Sequence, residues 1–202
     1  MKLYYSPGAC SLSPHIVLRE AGLAFEPVRA STKTHKLDDG TDYYTINPKG
    51  YVPALELDGG ERLTEGPAIV QYIAEQAPAK KLAPANGTMQ RYRLQEWLNF
   101  ITSELHKGIG GIFNPAMPEE AKTLMRTKGT ARLKWVDEQL AGKQYLMGDA
   151  FSVADAYLFT VTRWTANTGI DISGFGNLTA YMARVAARPA VQEALKVEGL
   201  LK

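Results

Sequence analysis

The first eighty residues change their hydrophobic period several times. Residues 2–6 (KLYYS) are short and aromatic, which is typical of a strand. Residues 12–23 (LSPHIVLREAGL) carry apolar positions at helical spacing, and Gly22 is a typical helix stop. Residues 25–30 (FEPVRA) alternate again and predict a second strand. The order strand, helix, strand predicts a parallel pair with a right-handed crossover.

The remainder of this half predicts a hairpin and a helix. Residues 52–66 (VPALELDGGERLTEG) hold two short apolar segments around an Asp-Gly-Gly turn, a typical hairpin sequence. Residues 66–76 (GPAIVQYIAEQ) predict a helix, with Pro67 suited to its first turn. The path β-α-β followed by β-β-α predicts an α/β domain over residues 1–80.

The chain after the loop 77–87 reads as helical. From Met89 onward the apolar positions recur at steps of three and four residues: Leu94, Trp97, Leu98, Ile101 and Leu105. Further helical segments begin near Pro118, Ser152, Asn177 and Pro189. Ser152 and Asp155 (SVAD) have the spacing of a capping box. The sequence therefore predicts a second, all-helical domain over residues 87–202.

Composition narrows the classes of function. The 23 Lys and Arg residues are interleaved with 21 Asp and Glu residues, so the net charge of +2 gives no nucleic-acid footprint. No apolar run approaches the roughly 18 residues of a membrane span, and Pro7-Gly8 interrupts the N-terminal segment before a signal-peptide core forms. The single cysteine fits a reducing compartment. We expect a cytoplasmic protein without nucleic-acid or membrane partners.

That cysteine, Cys10, lies between a Pro-Gly turn and the start of the first predicted helix. The backbone N–H groups and the dipole at a helix N-terminus stabilise a thiolate, and cysteines so placed act as nucleophiles or redox groups. Thioredoxin-like folds present a reactive sulfur in this order. Because Ser13 occupies the second position of the C-x-x-S motif, only a mixed disulfide with another thiol is open to Cys10. The alternative is a small buried hydrophobic residue; the placement favours function.

Two further segments carry candidate binding residues. In NPKGYVPAL, Pro53 lies between a turn and a strand. A cis bond before Pro53 would leave the backbone of Val52 able to pair with a peptide-like ligand. An ordinary trans proline is the alternative. In TEGPAIVQY, Glu65 and Gly66 open a helix. Backbone amides there favour a carboxylate and Glu65 could hold an amine, although a glutamate that only stabilises its helix is equally consistent.

Together these segments resemble the glutathione S-transferases, specifically their bacterial beta class. The resemblance runs the length of the chain, through KLYYSPGACSLSPHIVLRE, NPKGYVPAL, LTEGPAIVQY, EWLNFITSELHKG, FSVADAYLF and RPAVQEALKVEGLLK. It implies a thioredoxin-like glutathione-binding domain followed by an all-helical domain that forms much of the second substrate's pocket. Glutathione is the implied co-substrate, and no metal is expected.

The resemblance also implies roles for individual residues. Cys10 matches the cysteine that faces the glutathione sulfur and can form a mixed disulfide with it, and His106 matches the pocket histidine. Pro53 matches the cis-proline, with Val52 pairing to the cysteinyl part, and Glu65 with Gly66 matches the γ-glutamyl site. Tyr5 and Ser11 are nearby candidates for the thiol-activating hydroxyl of other classes, and Phe113, Tyr157 and Trp164 are candidates to line the electrophile pocket.

One position departs from the class. A lysine usually meets the glycine carboxylate of glutathione, whereas the loop here reads KTHKLDDG and places His35 at that position, beside Lys36. Because a neutral imidazole is a poorer partner for an anion than an ammonium, two alternatives follow. Either Lys36 substitutes, or His35 acts as the donor and glutathione binding weakens as pH rises.

The resemblance further implies a homodimer. In the class, residues on the neighbouring subunit's long helix reach glutathione, and Asn99, Ser103 and Glu104 occupy those positions. An exposed polar helix face is the alternative for each. The function we expect is conjugation of glutathione to small, mostly apolar electrophiles, with thiol transfer through Cys10 as a second chemistry. A non-catalytic binding or regulatory module of the same fold is the alternative function.

Overall fold

The chain divides into two units in the computed structural model, which describes residues 1–201. The first unit comprises Met1–Ala83 together with residues 188–201, and the second is Pro84–Ala187. The predicted boundary between residues 80 and 87 brackets this division. The prediction had placed all of 87–202 in the helical domain, whereas the final segment packs with the first unit.

The first unit contains one mixed sheet. Its strands are β1 (Lys2–Tyr5), β2 (Glu26–Arg29), β3 (Ala54–Glu56) and β4 (Arg62–Thr64). They lie in the order β2-β1-β3-β4; β1 pairs parallel with β2 and antiparallel with β3, and β3 pairs antiparallel with β4. The predicted parallel pair and the hairpin are therefore both confirmed.

Alternation along the strands gives the sheet two buried faces. Leu3 pairs with Leu55 on one face and Tyr4 with Ala54 on the other, and all four are buried. Tyr4 and Ala54 join an apolar cluster with residues from the loops beyond the strands: Ala30, Tyr43, Ile46 and Val52. Burial on both faces thus fixes the loops that follow β2 and precede β3.

Three helices complete the first unit: α1 (Leu12–Ala21), α2 (Gly66–Gln76) and α8 (Pro189–Val197). Helix α1 packs against both α2 and α8. It ends at Gly22, whose φ of 69° is the left-handed conformation that glycine adopts at little cost. The helix stop predicted at Gly22 is confirmed.

The second unit is helical, as predicted. Its α-helices are α3 (Met89–Phe100), α4 (Lys107–Gly111), α5 (Glu119–Gln139), α6 (Val153–Thr162) and α7 (Gly176–Ala186). Between α3 and α4 the helix continues through a π-helical turn at Ile101–His106, where the Lys107 N–H bonds to the carbonyl of Thr102. Hydrophobic periodicity did not predict this change of winding.

Helix α6 is the buried element of this unit, since every residue from Val153 to Thr162 is buried. Ser152 and Asp155 form the predicted capping box. The Asp155 carboxylate also accepts bonds from Leu146 N at 2.9 Å and the Tyr181 hydroxyl at 3.1 Å. Burial raises the pKa of the Asp155 carboxyl, and these donors oppose that effect. None of the helices in the described part of the chain is long and apolar enough to cross a membrane.

Candidate functional site

The candidate residues of the first unit lie at one end of its sheet. Cys10 follows the carboxyl end of β1, and the loop with His35 follows that of β2. Since Ala54 pairs with Tyr4 and with Thr64, the segment preceding β3 and the residues following β4 meet at the same edge. The topology therefore gathers residues that are up to 56 positions apart in sequence: Cys10, His35, Val52, Pro53, Glu65 and Gly66.

Cys10 is presented by a tight turn immediately before α1. Ser11 Oγ accepts a bond from Ser6 N at 3.1 Å and donates to Ser6 O at 3.2 Å, which closes the turn. The helix begins at Leu12, so Cys10 lies at its N-terminal end as predicted. The thiol is partly exposed, and its Sγ donates to the carbonyl of Val52 at 3.2 Å. Ser11 is fully buried and holds the turn, which leaves it poorly placed to activate a ligand thiol.

The carboxylate of Glu198, which follows α8, holds this turn in place through two contacts. Its Oε2 accepts a bond from Gly8 N at 2.9 Å and its Oε1 contacts His15 Nδ1 at 2.8 Å. Arg19 Nε donates to His15 Nε2 at 3.1 Å, so that Nε2 accepts and Nδ1–H donates to the carboxylate. The His15 and Glu198 side chains are both fully buried. Sequence reasoning missed this anchor, because no local pattern connects residues 183 positions apart.

The segment 50–52 links Cys10 to His35 through successive carbonyl groups. His35 Nδ1 donates to Gly50 O at 3.2 Å, and the Val52 carbonyl accepts from Cys10. Between them, Tyr51 O accepts from the Tyr43 hydroxyl at 3.0 Å. Burial raises the pKa of Tyr43 to about 12, which keeps this donor protonated. The Val52–Pro53 bond is cis, as expected for Pro53.

The loop that carries His35 is closely fitted to this segment. The His35 backbone has a φ of 51°, and its ring lies 4.8 Å from that of Tyr44. Tyr44 in turn covers Gly50, where an added Cβ would approach Tyr44 Cε1 to 2.7 Å. Gly50 is therefore required both by its φ of 70° and by this contact. Lys36 is exposed, and its backbone bridges to Asp42.

Glu65 adopts an unusual backbone conformation at the start of α2. Its φ of 70° and ψ of 113° are costly for a residue other than glycine, by about 1–3 kcal/mol, and such strain is concentrated at functional sites. Its carbonyl accepts from the N–H groups of Ala68 and Ile69, both at 3.0 Å. The side chain is 70% exposed and forms an ion pair with Lys49, a residue that sequence reasoning missed. With Gly66, this helix N-terminus offers backbone donors and a positive dipole end.

His106 is the centre of an aromatic group in the second unit. Its Nδ1 lies 2.6 Å from the Tyr157 hydroxyl, and the Trp164 ring lies 5.0 Å from its own. Phe113 is 49% exposed and meets Trp164 edge to face at 6.1 Å. Tyr157 is only 2% exposed, so it contributes to this group through its hydroxyl rather than as an open wall. An imidazole so placed can move protons beside apolar surface.

The three remaining candidates lie on the exposed side of the same helical run. Ser103 Oγ donates to Asn99 O at 3.0 Å, and Glu104 pairs with Arg132 at 2.7 Å. Asn99, Ser103 and Glu104 are all exposed in the single chain. Within residues 1–201, no cluster of three or more His, Cys, Asp or Glu side chains is arranged to hold a metal ion.

Comparison with known proteins gives consistent matches along the chain. The family model of the glutathione S-transferase N-terminal domain matches residues 1–75, and that of the C-terminal domain matches residues 100–189. The chain is 46% identical over 200 residues to glutathione S-transferase GstA of Escherichia coli O157:H7, covering 99% of this chain and 100% of that protein.

Two solved structures are also similar. A ternary complex of BphK, described as a bacterial glutathione S-transferase, superposes with a TM-score of 0.97 at 57% identity, covering 99% of this chain and 100% of that one. The bacterial beta-class glutathione S-transferase of Sphingomonas chungbukensis has a TM-score of 0.96 at 51% identity, with both chains fully covered at 100%.

Proposed function

The chain belongs to the beta class of the glutathione S-transferase family, and we propose that Cys10 and His106 act at the sulfur of its bound glutathione. The protein is a glutathione transferase, which takes glutathione as co-substrate and transfers its thiolate to electrophiles. The non-catalytic alternative is not favoured, because the transferase relatives match the full chain. The assignments to individual residues below are proposals.

The observation that carries the proposal is the convergence of Cys10, Val52 and Glu65 at one sheet edge. We propose that the cysteinyl part of glutathione pairs with the Val52 backbone, which places its sulfur beside Cys10. The γ-glutamyl carboxylate then meets the backbone donors of Gly66 at the start of α2, where the helix dipole favours an anion. Glu65 takes the ligand amine. Its exposed ion pair with Lys49 opposes this only weakly, since such pairs contribute about 0–1 kcal/mol.

The glycine carboxylate, at the other end of glutathione, requires a cation. His35 is the better-supported partner, because its bond to Gly50 O holds the ring two residues along the segment from Val52. Lys36 is the alternative partner, and its side chain is exposed. Both residues are included in the proposed glutathione site.

Conjugation is the first chemistry. The glutathione thiolate attacks an electrophilic carbon, the C–S bond forms, and the leaving group departs with its electron pair. We propose that His106 exchanges the proton of the thiol and that Phe113 and Trp164 contact a small apolar electrophile. The contact of the half-buried Trp164 ring with the imidazole, and of the exposed Phe113 ring with Trp164, supports this assignment.

Thiol transfer is the second chemistry. The Cys10 thiolate attacks glutathione disulfide, a mixed disulfide forms on Cys10, and one glutathione thiolate leaves. A second thiolate then attacks the glutathione sulfur of the mixed disulfide, which forms a new disulfide and restores the Cys10 thiolate. The contact between Cys10 Sγ and Val52 O supports this, since Val52 is the proposed partner of the cysteinyl backbone.

The single cysteine in the sequence also supports a reducing compartment such as the cytoplasm.

We further propose that the protein is a homodimer in which Asn99, Ser103 and Glu104 of each subunit serve the glutathione site of the other. All three side chains are exposed in the single chain, so they are accessible to a second subunit.

Intact mass after exposure to oxidised glutathione tests the core of the proposal. The wild-type protein is expected to accept one glutathionyl group, and Cys10→Ser none. Glu65→Gln is expected to react more slowly, because it loses the charge that holds the ligand amine. Glu61→Gln, in the exposed turn between β3 and β4, is the matched control and should react at the wild-type rate. Absence of both an adduct and glutathione binding would support the non-catalytic alternative.

A further inference from the structure

The side chain that contacts His106 most closely belongs to a directed series of hydrogen bonds. Thr102 Oγ1 lies 2.8 Å from Leu98 O and 3.3 Å from the Tyr157 hydroxyl, and that hydroxyl lies 2.6 Å from His106 Nδ1. All four residues belong to the second unit, in α3, the π-helical turn and α6. Tyr157 is almost fully buried, so its hydroxyl has little access to water.

Counting protons fixes the direction of this series. Leu98 O can only accept, so the single proton of the Thr102 hydroxyl is directed to it. The contact between Thr102 and Tyr157 is then a bond only if Tyr157 donates its one proton to Thr102. The Tyr157 oxygen is left to accept, and the bond to the imidazole requires a proton on Nδ1. All three contacts are satisfied together only in this arrangement.

We propose that Tyr157 and Thr102 are positioning residues that hold neutral His106 in the Nδ1–H tautomer. The lone pair then resides on Nε2, which makes Nε2 the nitrogen that takes the proton of the glutathione thiol. In that step the S–H bond breaks, its electron pair stays on sulfur, and His106 becomes an imidazolium whose second N–H remains bonded to Tyr157. The proton later passes to the departing group or to solvent. This inference rests on the proposed role of His106.

The π-helical turn is part of the arrangement. Leu98, Thr102 and His106 are spaced four residues apart along one helical run, and the wider winding at Ile101–His106 shifts His106 relative to a regular α-helix. Turns of this type occur frequently at functional sites. Here the turn carries both the imidazole and Thr102, whose hydroxyl accepts the proton of Tyr157.

Nitrogen-15 spectra of histidine-labelled protein test the tautomer directly. The chain has three histidines, which allows each to be assigned from a single-site variant. Above about pH 8, where imidazoles are neutral, we expect His106 to carry its proton on Nδ1. His15 is an internal reference, since Arg19 and Glu198 direct it to the same tautomer.

Two substitutions at one position separate orientation from packing. Thr102→Val keeps the shape of the side chain but removes the acceptor for the Tyr157 proton, which is then free to turn to His106 Nδ1. We expect His106 to change to the Nε2–H tautomer and kcat to fall by about tenfold or more, with little change in the KM for glutathione. Thr102→Ser keeps the hydroxyl and should retain the wild-type tautomer and kcat. Tyr157→Phe should shift the tautomer as Thr102→Val does.

The outcomes separate this inference from the proposed function. An Nε2–H tautomer in the wild-type protein overturns the inference. A change of tautomer in Thr102→Val with unchanged kcat overturns its catalytic consequence. If His106→Ala then also retains full activity, the failure lies in the proposed role of His106; if His106→Ala is inactive, it lies in the assignment of Nε2 as the base. Unchanged His15 and His35 signals confirm that each variant is folded.

Discussion

The ring of His35 has one nitrogen committed to the protein. Nδ1 donates to Gly50 O, so a neutral ring presents to a ligand only the lone pair of Nε2. An anion can be bound by Nε2 only when the imidazole is protonated. The charged groups nearest in sequence to this contact are Lys36 and Lys49, both exposed, and the ring itself rests on Tyr44.

We therefore expect glutathione affinity to fall as pH is raised from about 5 to 8, because a neutral ring has no second N–H to offer a carboxylate. Loss of one charge-assisted contact corresponds to a decrease of about tenfold or more. Calorimetric titration of glutathione across this range measures it. His35→Lys, which stays charged, should flatten the dependence, while Lys36→Gln should leave it in place. A uniform loss of affinity in Lys36→Gln, with no effect of His35→Lys, would instead identify Lys36 as the partner.

At the scale of residues, local sequence was informative where the chemistry is local. The Pro-Gly turn and the helix start that frame Cys10 are adjacent in sequence, so the placement of the thiol could be predicted. The carbonyl of Val52, which accepts its proton, is 42 residues away and was assigned a role only by resemblance. Lys49 and Glu198 gave no signal, because ion pairs and buried carboxylates depend on the packing of distant segments.

At the scale of elements, one ion pair joins the strands of the β3–β4 hairpin, and its two side chains also form hydrogen bonds to neighbouring segments. Glu56 and Arg62 face each other across the two strands, with Arg62 Nε 2.7 Å from Glu56 Oε2. The Tyr4 hydroxyl on β1 lies 3.3 Å from the same oxygen, and Arg62 also donates to Thr45 O at 3.1 Å. The hydrogen bond from Arg62 holds the pKa of the Glu56 carboxyl below its ordinary value.

This shift predicts a pH-dependent contribution to stability. Because the folded pKa is lower than the unfolded one, ionised Glu56 stabilises the fold at neutral pH, and that contribution is lost as pH falls through the folded pKa. Relative to Glu56→Gln, the wild-type protein should be more stable by about 0.2–1 kcal/mol near neutrality, the range for cross-strand pairs. Urea unfolding at a series of pH values measures the difference, which should vanish in acid. Glu61→Gln, in the same hairpin, is the control; an equal acid-sensitive difference there would contradict the assignment to the Arg62 contact.

The elements that periodicity predicted are those with one buried face or short alternating strands. The strands, the hairpin, α1, α2 and the capping box of α6 all agree with the sequence. The π-helical turn could not be predicted, since Leu94, Leu98, Ile101 and Leu105 fit an ordinary helix within one residue. Two residues of this turn, Thr102 and His106, contact Tyr157 of α6, a partner that the local sequence does not indicate.

At the scale of the whole molecule, the chain returns to its first unit at the end. Helix α8 packs on α1, and Arg188 forms a two-point ion pair with Glu20, with distances of 2.6 and 2.9 Å. Glu198 then reaches the turn that carries Cys10. Hydrophobic periodicity predicted that this segment is a helix but not which unit it packs against, because an amphipathic pattern does not identify the surface that covers it.

A complete glutathione site is proposed to need two chains, and mixing two defective variants tests this. One variant is Glu65→Ala, and the other combines Ser103→Ala with Glu104→Ala; each alone should bind glutathione weakly. If the sites are shared across a two-fold dimer, each mixed dimer contains one site with no substitution, so that about a quarter of all sites recover after exchange of subunits. If all of these residues serve the site of their own chain, mixing restores nothing.

Light scattering gives the oligomeric state in parallel, and a monomer that binds glutathione fully would overturn the shared site. Loss of the exposed Glu104–Arg132 pair should cost little stability, so weak binding by the double variant reports on the ligand site rather than on unfolding.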